Sequence, residues 1–187
     1  MGLEANSAGD FPKIASTAFV HPTATVIGRV SIGERTFVGP NAVLRADEPG
    51  PDGRVQPIVV GEEANIQDCA VVHALGGAET NIGPRASVAH AAVIHGPCRI
   101  GADCLIGFSS VVFNATLGVG VVVTHQALVE GVTIPSGLHV PSMTAVRNEE
   151  DVRRLAHATR EMISFAAKVS RMNVDLVTAA LNGKTCE

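Results

Sequence analysis

Aliphatic side chains recur at every sixth position over most of this chain. They run Val20, Val26, Ile32, Val38 and Leu44, then Val60, Ile66 and Val72, then Ile82, Val88, Ile94, Ile100, Ile106 and Val112. The series slips by one residue and continues through Leu117, Val123, Val129, Ile134, Val140 and Val146. Gly often follows the aliphatic, as in Ile32-Gly33, Val38-Gly39, Ile82-Gly83, Ile100-Gly101 and Ile106-Gly107. Four positions after the aliphatic stands a small residue in most units: Ala24, Ala42, Ala64, Ala70, Ala86, Ala92, Cys98, Cys104 and Ser110. This is the six-residue signature of a β-helix. Each unit predicts a short strand with one inward aliphatic and a corner that admits only a small side chain. Three units close a triangular coil, and coils stack at the strand spacing of ~4.8 Å. No unit buries its aliphatic alone, so stacking itself creates the core.

The pattern divides the chain into an N-terminal extension over 1–19, a parallel β-helix over 20–148, and a C-terminal helix and tail over 149–187. Two intervals break the period. Leu44 to Val60 spans sixteen residues, read as two units plus four extra residues placed in Asp47-Glu48-Pro49-Gly50-Pro51-Asp52-Gly53. Val72 to Ile82 spans ten, one unit plus four, around Gly76-Gly77. Both read as loops by composition, and loops that leave a rigid scaffold often carry function. From Glu149 the period changes. Glu149-Glu150-Asp151 places acid at a helix start. Leu155, Met162, Phe165, Ala166, Val169, Met172, Leu176 and Ala180 then recur at three- and four-residue steps, and Asn182-Gly183 supplies a stop. These residues predict a long helix packed along the solenoid.

In a three-sided coil, residues one coil apart lie above one another. His73 and His95 both follow the inward aliphatic of one face and differ by 22 residues, one coil plus the four-residue insertion. They are expected to stack, and two stacked imidazoles can converge on one ion, because Zn–N bonds run ~2.0–2.1 Å. His90 stands two positions after Val88 on another face, above Asp68, so a third ligand is best supplied by a neighbouring subunit. That implies a symmetric oligomer, and a triangular prism suits three identical interfaces. Arg45, Gln67 and Ala89 are assigned to a second column, with Asp47 and Glu48 following Arg45. Single histidines on such a face are usually solvated; three together, two of them in register, favour a metal site. His21, His139 and His157 are assigned to no site, and His125 shares the Asp68–His90 column two coils on. Arg45 with Asp47 is more often an interface ion pair than a catalytic pair. Phe108 and Phe113 follow the repeat and read as apolar surface beside a site.

Composition narrows the class further. The chain has 187 residues, six Phe and neither Trp nor Tyr, which suits a stacked core of small side chains. The net charge of −4 with no basic run points away from nucleic acid. No apolar run reaches membrane-spanning length, and the first sixteen residues lack a signal-peptide pattern. Cys69, Cys98, Cys104 and Cys186 form no Cys-x-x-Cys motif, so reduced thiols in a cytoplasmic compartment are expected.

Several motifs resemble the γ-class carbonic anhydrases, including the anhydrase-like domain of the carboxysome scaffold protein. They are Arg45-Ala46-Asp47-Glu48, Asn65-Ile66-Gln67-Asp68, Val72-His73, Ala89-His90 and Ile94-His95-Gly96-Pro97. Ile106-Gly107-Phe108, Val112-Phe113-Asn114-Ala115, Ile134-Pro135 and Val140-Pro141 are similar to the same family. The resemblance spans roughly Val20 to Val146. The repeat is shared with acyltransferases; the histidine triad is the specific part.

The resemblance implies a left-handed β-helix trimer with zinc bound by His73 and His95 of one subunit and His90 of the next. Fe(II) or Co(II) would suit the same neutral ligands. Gln67, oriented by Asn65, would hydrogen-bond the metal's water. Arg45 and Asp47 would pair across the interface, with Asp68 beside the site, and Glu48 would help move protons. Asn173 would bring the C-terminal helix to the site. The implied reaction is hydration of CO2 to bicarbonate. Fast members of the family carry a long acidic loop after the first histidine. This chain has only Ala74-Leu75-Gly76-Gly77-Ala78-Glu79, where Glu79 is a candidate substitute shuttle. Two alternatives stay open: a non-enzymatic scaffold or assembly subunit, and a CoA-dependent acyltransferase or thioesterase. The chain lacks the Rubisco-small-subunit-like repeats of carboxysome scaffolds, which argues against a scaffold as such but not against a partner role.

Overall fold

A computed structural model describes residues 2–183 and resolves the repeat into a parallel β-solenoid of about seven coils. The first face stacks Gly2–Glu4, Thr25–Gly28, Val43–Ala46 and Val71–His73, then the starts of Val93–Ile100 and Val111–Leu117, then Leu128–Glu130 and Ala145–Val146. The second stacks Lys13–Ile14, Val30–Ile32, Ile58–Val60 and Thr80–Ile82, then the ends of the two long strands, then Thr133–Ile134. The third stacks Phe19–Val20, Phe37–Val38, Asn65–Ile66, Ser87–Val88, Leu105–Ile106, Val122–Val123 and Leu138–Val140.

The aliphatic series forms the core: Leu44, Ile66, Ile94, Ile106 and Ile134 are fully buried. The small residues of the corner slots are buried as well, from Ala24 to Ser110. A glycine after the aliphatic answers to close stacking. A Cβ on Gly61 would lie 2.6 Å from the Pro84 nitrogen of the next coil. The corner between the second and third faces carries Arg35, Glu63, Arg85 and Asp103, all at positive φ. Their charges alternate, with Arg35–Glu63 and Arg85–Asp103 contacts of 2.6 Å. Exposed pairs of this kind contribute only ~0.2–1 kcal/mol each, so they reinforce coil register more than stability.

Three expectations are corrected. Residues 2–19 of the expected 1–19 extension belong to the solenoid: Gly2–Glu4 pairs with Thr25–Gly28, and Lys13–Ile14 pairs with Val30–Ile32. They build the first coil around Asn6, whose Nδ2 donates to the Ala46 carbonyl at 3.1 Å and whose Oδ1 accepts from the Ala8 and Asp10 amides.

The sixteen-residue interval is one unit plus ten residues, because Val43–Ala46 and Ile58–Val60 lie on consecutive faces. Both arithmetics return an aliphatic to the inward slot, so periodicity alone does not separate them. The ladder does: Arg45 pairs with His73. Arg45 therefore leaves the expected column with Gln67 and Ala89 and joins that of His73 and His95. Both loops, 47–57 and 74–79, now leave the same corner one coil apart.

The C-terminal helix is broken. α1 (Glu149–Arg153) is capped by Asn148, and Ala156–His157 adds an antiparallel strand to the third face. Thr159 caps α2 (Arg160–Leu181), and α2 crosses the third face. Its buried stripe is Ala166, Ser170, Asn173 and Val177. Phe165, Met172 and Leu176, placed by periodicity on the packing side, are about half exposed. Small side chains let the helix approach the flat sheet, and the larger ones sit beside the contact. Cys186 lies outside the described residues. Cys98 and Cys104 are buried and free, Cys69 is exposed and free, and burial pushes the Cys104 thiol up to about 11. No described helix is long and apolar enough to cross a membrane.

Candidate metal centre

The first group of polar side chains lies at the end of the first face. His73 and His95 each follow an inward aliphatic, so strand alternation turns them outward. They are direct ladder neighbours. Nδ1 of His73 stands 3.0 Å from Nε2 of His95, with ring centroids 4.7 Å apart and planes at 78°. Two nitrogens bound at ~2.0–2.1 Å to one tetrahedral ion sit ~3.3 Å apart, so this pair fits two corners of such a site.

Arg45 lies beneath His73 in the same column. Its Nε donates to Asp47 Oδ1 at 3.0 Å, and Nη2 lies 3.5 Å from Glu48 Oε1. Within the chain Arg45 and Asp47 thus form an ion pair. Glu48 Oε1 stands 3.3 Å from His73 Nε2. The His73 pKa is lowered, first by burial and then by Arg45 and His95, against the opposing pull of Glu48 and Asp47. The neutral ring so favoured is the form that binds metal. Phe113 meets His95 edge-on at 5.3 Å and separates it from Glu130, the next residue of the column.

The second group lies at the corner between the third and first faces. His90 Nδ1 is 3.1 Å from Asp68 Oδ2, a contact that assigns the ring proton to Nδ1 and leaves Nε2 with its lone pair. Gln67 Nε2 donates to Asn65 Oδ1 at 2.9 Å, and Asn65 Nδ2 donates to Ser87 Oγ at 2.8 Å. All three residues are buried. Gln67, Asp68 and His90 line a cavity of about 320 Å³ with Phe108, Phe165 and Asn173 of α2. The Asn173 amide donates to the Val169 carbonyl at 2.9 Å.

Phe108 was read only as apolar surface. It stacks on His90 at 5.3 Å and on His125 at 4.5 Å. His125 Nδ1 accepts the Phe108 backbone N–H at 3.1 Å, which fixes the pile. The signal for this stack was available, because all three residues stand two positions after an inward aliphatic. Phe165, set aside as helix packing, belongs to the cavity wall.

The candidate residues thus fall into two groups on opposite edges of one face. Among the described residues no group of three or more His, Cys, Asp and Glu side chains is able to hold a metal. Glu79 joins neither group. It lines a polar cavity with Asn81, Arg99 and Thr116, and no histidine lines that cavity.

The coils, corners and C-terminal helices define a hexapeptide-repeat protein, and comparison with known proteins agrees. A hexapeptide transferase family protein from Anaplasma phagocytophilum superposes with a TM-score of 0.78 at 28% identity, covering 95% of this chain and 97% of that one. No protein-family model matches the chain. The carbonic anhydrase of Methanosarcina thermophila is 34% identical over 167 residues, covering 79% of this chain and 65% of that protein. The carboxysome assembly protein CcmM of Nostoc is 37% identical over 171 residues, covering 86% of this chain. The chain spans 30% of the length of that CcmM. It belongs to the hexapeptide-repeat proteins, and its homologues include the γ-class carbonic anhydrase of Methanosarcina.

Proposed function

We propose that the chain is a subunit of a γ-type carbonic anhydrase, hydrating CO2 to bicarbonate at a three-histidine metal site completed by a neighbouring chain in a homotrimer. The observation that carries this reading is the division of ligands. One edge of the first face presents His73 and His95 as a converging pair, and the other presents His90 with its Nε2 free. A ring in which the edge of one copy meets the opposite edge of the next brings the three together, and such head-to-tail contacts close when the rotation is cyclic.

The donor set suits Zn2+, with Fe2+ or Co2+ as alternatives. Zinc held by three neutral imidazoles would supply Lewis acidity, bringing a water to a pKa of ~7 as in carbonic anhydrases generally. Asn65 occupies the Gln67 amide N–H, so the Gln67 carbonyl oxygen is left to orient a water in the cavity. Asp68 fixes the tautomer of His90. Glu48 takes up the proton released by hydration at Oε1 and hands it to a buffer base; its side chain, 40% exposed, reaches both His73 and solvent. Arg45, tied to Asp47, keeps the carboxylate pair in place. Asn173 and Phe108 close the cavity side.

Metal quantification on anaerobically purified protein, with CO2 hydration followed by stopped flow, tests the reading. His90→Ala is expected to abolish both metal and hydration and to leave a folded oligomer, since the His90 side chain is half exposed. Retained metal and rate in that variant would refute it. A second reading, an assembly subunit, is supported by the 37% identity to a carboxysome assembly protein. A folded, metal-free oligomer would favour it.

A further inference from the structure

The two loops at the corner of the first and second faces interlock. A Cβ on Gly76 would lie 2.7 Å from the Pro49 carbonyl oxygen, and one on Gly50 would lie 2.6 Å from the Gly77 Cα. Gly77 itself has φ +80. These contacts are with backbone, so a side chain is accommodated only if one loop moves. The approach places the Gly76 N–H 3.3 Å from Glu48 Oε2. The other oxygen of that carboxylate, Oε1, faces His73 Nε2 at 3.3 Å. Arg45 Nη2 also lies 3.3 Å from His73 Nε2 but can only donate. In the tautomer with the proton on Nε2, His73 donates to Glu48 and the Nδ1 lone pair is directed toward His95.

We propose that the Gly76-Gly77 turn is a positioning element for the metal ligand His73. The turn holds one oxygen of Glu48, the other oxygen holds the His73 ring, and the ring presents its remaining nitrogen to the ion. The short loop after His73 thus braces the ligand. This rests on the metal-site reading above and goes beyond it, because neither glycine touches the site. A carboxylate that orients a ligating histidine typically matters ~10–100-fold in metal affinity. The turn acts one contact further out, and its loss is expected at the lower end of that range.

Zn2+ affinity, measured by chelator competition on the whole oligomer, tests the proposal without any rate measurement. Gly76→Ala should weaken zinc binding ~10-fold, and Glu48→Ala ~10–100-fold. Glu48→Gln, whose carbonyl still accepts from His73, should restore most of the affinity lost in Glu48→Ala. Gly53→Ala is the control. It lies in the facing loop with Glu48, at φ +74 with nothing within 4 Å of the added Cβ, and should leave affinity unchanged. Substituting Co2+ should show an altered visible spectrum in Gly76→Ala, a change that general loosening of a loop would not produce. Wild-type zinc affinity and an unchanged cobalt spectrum in Gly76→Ala would overturn the proposal while leaving the metal site standing. A wild-type oligomer that takes up no zinc would overturn both.

Discussion

Asn65 is the side chain on which the Gln67 orientation depends, and Asn65→Ala turns that dependence into a stability measurement. Asn65 is fully buried, accepts from Gln67 Nε2 at 2.9 Å and donates to Ser87 Oγ at 2.8 Å. Truncation leaves the Gln67 amide and the Ser87 hydroxyl without those partners. Each buried polar group left unpaired costs ~1–3 kcal/mol. The Ser87 oxygen loses a donor and can rotate to accept elsewhere, whereas the Gln67 amide loses its acceptor and has less freedom, so the sum is expected near ~2–4 kcal/mol. Urea denaturation at one fixed protein concentration reads this, since the midpoint of an oligomer moves with concentration. Adding Ser87→Ala removes the stranded hydroxyl. The double variant should be more stable than the two single losses predict by ~1 kcal/mol, a coupling expected of groups in contact. A loss below ~0.5 kcal/mol for Asn65→Ala would refute the reasoning, because surface changes alone reach that size.

Gly28→Ala probes the join between the first coil and the rest. At φ +78 its Cβ would lie 2.0 Å from the Ala46 carbonyl oxygen, so a loss of at least ~2 kcal/mol is expected by denaturant melt; a neutral result would dissociate residues 2–14 from the fold. The pH dependence should reflect His139, whose pKa burial lowers. The unfolded chain then binds a proton near ~6.5 more readily than the folded one, so stability is complete above that pH and falls as pH drops below it. His139→Gln should flatten part of that decline, and an unchanged slope would remove His139 as a source.

The core was legible because each inward slot is a single aliphatic whose neighbours are set by stacking, and those slots are buried from Val20 to Val146. The first coil was missed although Ile14 stands six residues before Val20, because the Asn6-centred turn between Gly2–Glu4 and Lys13–Ile14 breaks the run. Arg45 was misplaced for a physical reason: an inward aliphatic is inward on every face, so phase along the chain does not say which face follows a loop. His73 and His95 escaped that problem because only a short insertion separates their coils. The second helix start was carried by Thr159, whose hydroxyl accepts from the Met162 amide, and it was obscured by the apolar run through Leu155. Ala166 was read into the α2 stripe, but Ser170 and Asn173 are too small or polar to register as a packing face, so the stripe was mis-set. Glu79 was attached to the site by closeness in sequence, and it lines a cavity with Asn81 and Arg99.

The central claim is that each site takes His73 and His95 from one chain and His90 from the next. Mixing His73→Ala chains with His90→Ala chains before reassembly tests it directly. Neither variant alone should hold zinc. In a randomly mixed cyclic ring, a site is intact when its first chain is the His90→Ala form and its neighbour is the His73→Ala form. That is half times half, so about a quarter of the wild-type zinc should return. Zinc recovery near that fraction is the predicted result. No recovery from a verified mixed oligomer would contradict a site shared between chains.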